Sequence, residues 1–233
     1  MHSPKMRPLA AFGALRYPHS MTKLKALIIP VTPFQQNCSL IYDEIARIGA
    51  IVDPGGDVPS ILEAIKKSGI AIEKILITHG HIDHAGGAAA LREALGVKIE
   101  GPHLEDEFLL QSLPETGLQY GMMDARVVTP DRWLKAGDAV TVASLAFKII
   151  EAPGHSPGSV VFFNDANRFA LMGDVLFKGS VGRTDLRRSD PAALLRSIHE
   201  NILPLGDDVT FLPGHGPASN LGDERRTNPF LQG

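Results

Sequence analysis

Thr78-His79-Gly80-His81-Ile82-Asp83-His84 decides how the rest of the chain is read. It follows the apolar run Ile75-Leu76-Ile77 and precedes Ala85-Gly86-Gly87-Ala88-Ala89-Ala90-Leu91, the pattern of a turn between a buried strand and a helix. Three of the nine histidines and one aspartate fall within six positions. At a strand end His79 and His81, in alternate positions, project to the same side, while Asp83 and His84 belong to the turn behind them. Such a turn offers two imidazoles to one cation and a carboxylate with a third imidazole to another, which is half of a two-metal site. As a merely solvated loop, imidazoles this crowded would suppress one another's charge and add little packing.

The same punctuation recurs along the chain. Apolar or β-rich runs end in a glycine followed at once by a possible ligand: Gly80-His81, Gly154-His155, Gly173-Asp174 and Gly214-His215. A glycine there removes Cβ bulk and permits positive φ, so several turns can crowd around a small ion site. Each pair alone is a common turn, but together they supply what two cations still lack. One partition gives His79, His81 and His155 to a first ion and Asp83, His84 and His215 to a second, with Asp174 bridging both. Imidazole with carboxylate suits Zn²⁺, Fe²⁺ or Mn²⁺ better than Ca²⁺ or Mg²⁺, and zinc is the default expectation. Two such ions about 3.5–4 Å apart lower the pKa of a shared water enough to make it a nucleophile near neutral pH.

Around that centre the chain alternates short β-rich runs with turn signals. Strands are expected over 26–29, 38–42, 48–52, 75–77 and 97–99, then over 139–142, 146–150, 159–163, 169–172 and 209–212. Helices are expected around Ile61, Leu62 and Ile65 with Gly69 at the end, over 86–95, over 104–113, and from Pro191 to about Asn201 behind Asp190 as cap. Strands followed by helix in each half predict two sheets face to face with helices outside. The segment 101–133 is long for a connection and is expected to be a lid or interaction element. Within it, Tyr120, Met122 and Met123 are expected to form local core under the loop, with a pocket lining as the alternative.

Composition narrows the class. The chain has 233 residues, 44% of them hydrophobic, and no apolar run approaches a membrane span, so one soluble domain over 24–233 is expected. A net charge of −3 without a Lys/Arg block argues against nucleic-acid and membrane partners. The single Cys38 excludes an intrachain disulfide and reads as a buried, inert thiol, which fits a cytoplasmic setting. Residues 1–23 begin with a basic, acid-free leader and are expected to be a disordered extension, with Met21 as an alternative start.

With these residues in place the chain resembles the metallo-β-lactamase-fold hydrolases, in their glyoxalase II-like (hydroxyacylglutathione hydrolase) branch. The resemblance covers most of 24–229 and rests on Thr78 to His84, Pro153-Gly154-His155-Ser156-Pro157-Gly158, Gly173-Asp174 and Pro213-Gly214-His215-Gly216. It implies an αββα sandwich, two mixed β-sheets flanked by helices, with the metals at one edge. An aspartate at 174, where many true β-lactamases of this fold carry a serine or another residue, favours the glyoxalase-like branch. Eighteen residues follow His215, too few for the helical domain that helps full-length glyoxalase II hold glutathione. The chain is therefore similar to the short, single-domain bacterial forms, including their Gly182-Arg183-Thr184-Asp185 and Arg225-Arg226-Thr227-Asn228-Pro229 segments.

The activity this resemblance implies is hydrolysis of a thioester such as S-lactoylglutathione by a hydroxide shared between the ions. Asp83 would orient that hydroxide and Asp174 would bridge, while Arg183 or Lys178 would meet a substrate carboxylate. A thiol, with a pKa of about 8.5, leaves without help from a general acid. The rival on the same scaffold is a mononuclear iron persulfide dioxygenase using His79, His155 and Asp174. Lactonase or nuclease activity is a further enzymatic reading, and a non-catalytic metal-binding module is the reading from another class.

Overall fold

A computed structural model describes residues 24–232; the expected N-terminal extension lies outside the described residues. The first sheet is built from β1 (Leu24–Val31), β2 (Gln36–Asp43), β3 (Ile48–Val52), β4 (Ala71–Leu76) and β5 (Lys98–Glu100) in sequence order. Its first three strands pair antiparallel, and β3, β4 and β5 run parallel. Parallel neighbours need crossovers, and α1 (Val58–Ser68) and α3 (Ala88–Leu95) supply them, with the single-turn α2 (Ile82–Ala85) ahead of α3. α4 (Glu107–Gln111) and α5 (Leu113–Tyr120) follow.

The second sheet contains β6 (Ala139–Val142), β7 (Leu145–Glu151), β8 (Val160–Asn164) and β9 (Phe169–Gly173). A two-strand hairpin of β10 (Leu176–Phe177) and β11 (Ser180–Val181) and helix α6 (Pro191–Ser197) intervene before β12 (Thr210–Pro213), β13 (Ser219–Asn220) and helix α7 (Leu221–Thr227). Its order is β13-β12-β9-β8-β7-β6, with β12 parallel to β9 and the other pairs antiparallel. Both sheets are mixed, as the resemblance implied.

Strand periodicity builds the layers. On β8, Val160 and Phe162 enter the core between the sheets, while Val161 and Phe163 face the layer of α6. On β3 and β4, Ala50, Val52 and Leu76 join that inter-sheet core, whereas Ile51 and Ile75 pack with Ile61 of α1 and Leu91 of α3. Three apolar clusters separated by two sheets are an αββα sandwich.

Two segments depart from the sequence reading. The helix expected over 104–113 is a 3-10 turn, Leu104–Asp106, running into α4, and a further helix, α5, follows it. Pro114 sits in the first turn of α5, where its missing N–H costs nothing, so it starts a helix instead of ending one. Asp83 and His84, expected in a turn, lie on α2 with His81 at its N-cap position.

Candidate metal centre

Topology brings the signature turns to one edge. β9 and β12 are parallel, so Gly173-Asp174 and Gly214-His215 leave the second sheet side by side, and Gly214 N–H donates to the Gly173 carbonyl at 2.8 Å. β8 runs antiparallel to β9, so the His155 turn before β8 arrives at the same edge. The first sheet meets it there: Val160 N–H donates to the Thr78 carbonyl at 2.9 Å, and Asn37 N–H to that of Gly214 at 2.7 Å. Glycine is required at 214 for space, since a Cβ would stand 2.1 Å from Asp174 Oδ1 and 2.5 Å from His84 Cε1.

All seven metal-ligand candidates meet at this edge. The nitrogens of His79, His81 and His155 form one trio with atoms within 4.8 Å of one another, and Asp83, His84 and His215 form a second. His81 Nδ1 lies 2.9 Å from His155 Nε2, and His215 Nε2 lies 3.1 Å from Asp83 Oδ2. Asp174 reaches both trios: its Oδ2 is 3.6 Å from His155 Nε2 and 3.6 Å from His215 Nε2, and its Oδ1 is 3.4 Å from His84 Nε2. Ligand atoms on a tetrahedral ion with bonds of about 2.0–2.1 Å stand about 3.3 Å apart, so these separations are of the right size.

The hydrogen bonds behind the imidazoles aim their lone pairs inward. Thr78 Oγ1 donates to Asp53 Oδ2 at 2.7 Å and therefore accepts from His79 Nδ1 at 3.0 Å, leaving His79 Nε2 as the lone pair. Asp53 Oδ2 also accepts from His84 Nδ1 at 3.0 Å, and the Arg183 carbonyl accepts from His155 Nδ1 at 2.8 Å. Among the described residues His79 Nε2, His84 Nε2 and Asp174 Oδ1 are buried without a hydrogen-bond partner. Buried polar atoms are almost always paired, so three orphans converging in one place mark a position for a cation. This donor set fits two divalent ions.

Charge divides the two trios. Burial, then the neighbouring imidazoles, hold His79 far below the usual histidine range; burial and His155 hold His81 down at about 3. Both present lone pairs at neutral pH. Burial also opposes charge on His84 and His215, but the carboxylates of Asp174 and Asp83 outweigh it and raise both. Burial would raise Asp174 and Asp83, yet the facing imidazoles, His84 first, lower both.

Two carboxylates that sequence reasoning missed hold this arrangement. Asp53, buried in the left-handed region at φ +51, turns its carboxylate back to Thr78 and His84; its signal was its place just beyond β3, the parallel neighbour of the metal-turn strand. Asp106 is buried and accepts from Gly80 N–H at 2.8 Å, Ser156 Oγ at 2.7 Å and Gly158 N–H at 2.6 Å, which ties the His79–His81 turn to the His155 turn. Burial raises its pKa. Nothing in an ordinary helical pattern announced it.

A cavity of about 620 Å³ opens over the centre, and His81, Asp83, His155, Asp174 and His215 form its floor. Tyr120, against expectation, lines it and stacks edge-on against Phe34 at 5.4 Å, forming one rim. Met122 packs on the core as expected, while Met123 is exposed. Arg183 lines the cavity but is held in a two-point ion pair with Asp185, at 2.7 and 2.8 Å. Lys178, expected to touch substrate, is not among the lining residues; it sits at the exposed tip of the β10–β11 hairpin, where Gly179 turns at φ +71. Cys38 is fully buried, and burial raises its thiol pKa. No helix among the described residues is long and apolar enough to cross a membrane.

Comparison with known proteins agrees with this geometry. The family model for the metallo-beta-lactamase superfamily matches residues 31–215. A hydroxyacylglutathione hydrolase, GloC of Haemophilus influenzae, is 42% identical over 205 residues, covering 88% of this chain and 96% of its own. Among solved structures, the B3 metallo-beta-lactamase BLEG-1 superposes with a TM-score of 0.82 at 34% identity, covering 90% of this chain and 100% of its own. TTHA1623, solved in a di-iron-bound form, superposes with a TM-score of 0.79 at 34% identity, covering 88% and 100%.

Proposed function

The chain belongs to the metallo-beta-lactamase superfamily, and from that premise we propose that it is a hydroxyacylglutathione hydrolase-like thioesterase, cleaving S-lactoylglutathione or a close relative. The observation that carries the reading is the pair of facing trios with Asp174 between them, which supplies ligands for two ions at the floor of an open cavity. His79, His81 and His155 would hold one ion, Asp83, His84 and His215 the other, and Asp174 would span both. Zinc is the expected metal, and the di-iron neighbour keeps iron in play. When bound, such a pair supplies Lewis acidity and a water that ionises near neutral pH.

The chain's own residues do the rest. Asp53 and the Arg183 carbonyl fix the tautomers of the ligand imidazoles, so no reorganisation is needed when substrate arrives. Asp83, whose Oδ2 lies 3.1 Å from His215 Nε2 at the floor, would orient the attacking water. The cavity offers its apolar wall, Phe177 and the Phe34–Tyr120 rim, to the thioester and its acyl group. Hydrolysis consumes one water and yields a carboxylate, a thiol and a proton. A thiolate leaving group requires no general acid.

The test is thiol release from S-lactoylglutathione by metal-loaded protein, alongside β-lactam hydrolysis, the competing activity raised by the likeness to BLEG-1. Thioester turnover that vanishes with the metal supports the reading; turnover surviving chelation, or a β-lactam strongly preferred, refutes it. Oxygen uptake with glutathione persulfide would instead favour the mononuclear dioxygenase. The Asp83–His84–His215 trio, which that chemistry does not use, argues against it.

A further inference from the structure

The Arg225-Arg226-Thr227-Asn228-Pro229 segment has no part in the metal centre; it closes α7 and continues just beyond it. On that helix Glu224 is buried, yet the following Arg225 and Arg226 pair instead with Asp207 at 2.8 Å and Asp223 at 2.6 Å. Neutral donors satisfy its carboxylate: Oε2 accepts from Gly179 N–H at 2.8 Å and from Asn228 Nδ2 at 2.9 Å, and Oε1 accepts from the Ser219 hydroxyl. Asn228, also buried, donates through Nδ2 to the Ser180 carbonyl at 3.0 Å, with that of Phe177 3.4 Å away. A buried carboxylate is costly without such donors, and here they come from two segments beside the second ligand trio. Gly179 and Ser180 form the tip of the β10–β11 hairpin, whose Phe177 lines the cavity and meets the His215 ring edge-on at 6.3 Å. Ser219 belongs to β13, the strand that follows the His215 turn. The base of the hairpin is held without this knot: Gly182 N–H donates to the Val175 carbonyl at 3.3 Å, and Gly214 N–H to that of Gly173 at 2.8 Å.

We propose that Glu224, together with Asn228, is a positioning residue for substrate binding: it pins the β10–β11 hairpin so that the Phe177 ring stands as a fixed wall beside His215. Neither residue lines the cavity, so the effect on substrate passes through the hairpin. With the knot removed the tip moves while Asp174, beyond the independently held base, keeps its place. The inference rests on the thioesterase reading for the identity of the substrate; the pinned wall itself does not depend on what the cavity binds.

The experiment uses metal-loaded protein and measures steady-state hydrolysis of S-lactoylglutathione, metal content, and hydrogen exchange without substrate. Glu224→Ala and Asn228→Ala are each expected to raise KM about five- to ten-fold with kcat within about two-fold and both ions retained, and to speed exchange over 176–182 about ten-fold. Should Glu224→Ala fail to fold, Asn228→Ala carries the same test without removing a buried charge. Glu224→Gln keeps an oxygen for Gly179 and Asn228 and turns its amide to the Ser219 hydroxyl, which then accepts, so KM and exchange should stay near the wild type. In a Phe177→Ala background Glu224→Ala should add little to KM, because the wall it positions is already gone. Parallel losses of kcat and metal, or a KM effect undiminished in the Phe177→Ala background, would show a general role in stability and overturn the proposal, as would unchanged exchange over 176–182. If the wild type cleaves no thioester, yet exchange over 176–182 rises in Glu224→Ala and not in Glu224→Gln, the hydrolase reading falls and the pinned wall stands.

Discussion

The floor of the cavity and its mouth are built on opposite principles. At and beneath the floor, His79, His84, His155 and Asp174 are buried, and each side chain is held by a neighbour behind it or faces another ligand. At the mouth, Arg187, Glu115 and Tyr120 are exposed, and they come from helices and loops instead of strand ends. A rigid floor suits chemistry that needs fixed charges; an exposed mouth leaves substrate choice to residues that can change without disturbing the site. Disturbing the floor should therefore cost turnover and metal together, and disturbing the mouth should cost only affinity.

The largest effects belong to the floor. Asp174→Asn and His155→Ala are each expected to lower kcat by about a thousand-fold or more, with loss of bound metal measured on the same samples. Chelation should abolish turnover equally while leaving the far-ultraviolet dichroism of the fold in place, because none of the ligands belongs to the three apolar clusters. Loss of that signal on chelation would show that the ions hold the fold as well as the chemistry.

Next in size are the two carboxylates behind the ligands. Asp53→Asn removes the acceptor that fixes both His79, through Thr78, and His84, and should weaken metal binding about 10–100-fold in competition with a chromophoric chelator. Asp106→Asn puts an amide against the Gly80 and Gly158 N–H groups and the Ser156 hydroxyl. Its loss should fall on the ion held by His79, His81 and His155 and spare the other, so one equivalent of metal should leave before the second. Equal loss of both would mean that Asp106 supports the whole edge and not one half of it.

This contrast also explains what the sequence made legible. The ligands follow strands, and a strand that ends in glycine and a ligand is visible in one dimension; Thr78 to His84 alone carried half the site. The order of strand runs and helical runs in each half likewise predicted the two sheets with helices outside. The rest depended on contacts distant in sequence: Asp106 reaches Ser156 across 50 positions, and Phe34 meets Tyr120 at one rim of the cavity. α5 stayed hidden because proline and glycine, here Pro114 and Gly117, ordinarily interrupt a helix. In the fold Pro114 opens the helix, and Gly117 makes room for the Met122 carbonyl, which a Cβ would approach to 2.6 Å.

At the mouth the effects shrink. Phe34→Ala opens the rim by removing the ring that packs on Tyr120 and should raise KM about 3–10-fold with kcat little changed, in steady-state assays of the preferred thioester. A comparable fall in kcat would move the rim from substrate binding into the chemistry.

The smallest effect tests where floor and mouth meet in a single residue. Arg183 contributes its carbonyl to the floor, as acceptor for His155 Nδ1, and its guanidinium to the rim, where Asp185 already holds it. Arg183→Ala keeps the carbonyl and removes only the guanidinium, one half of an exposed ion pair of the kind that contributes little. Metal content and kcat should stay near the wild type, and KM should rise by no more than about three-fold. Lys178→Ala, at the hairpin tip outside the cavity, should change KM less still. A large KM effect from Arg183→Ala would mean that substrate breaks the Asp185 pair on arrival. A large effect from Lys178→Ala would mean that the hairpin closes over the ligand, and recognition would then be shared between the mouth and β10–β11.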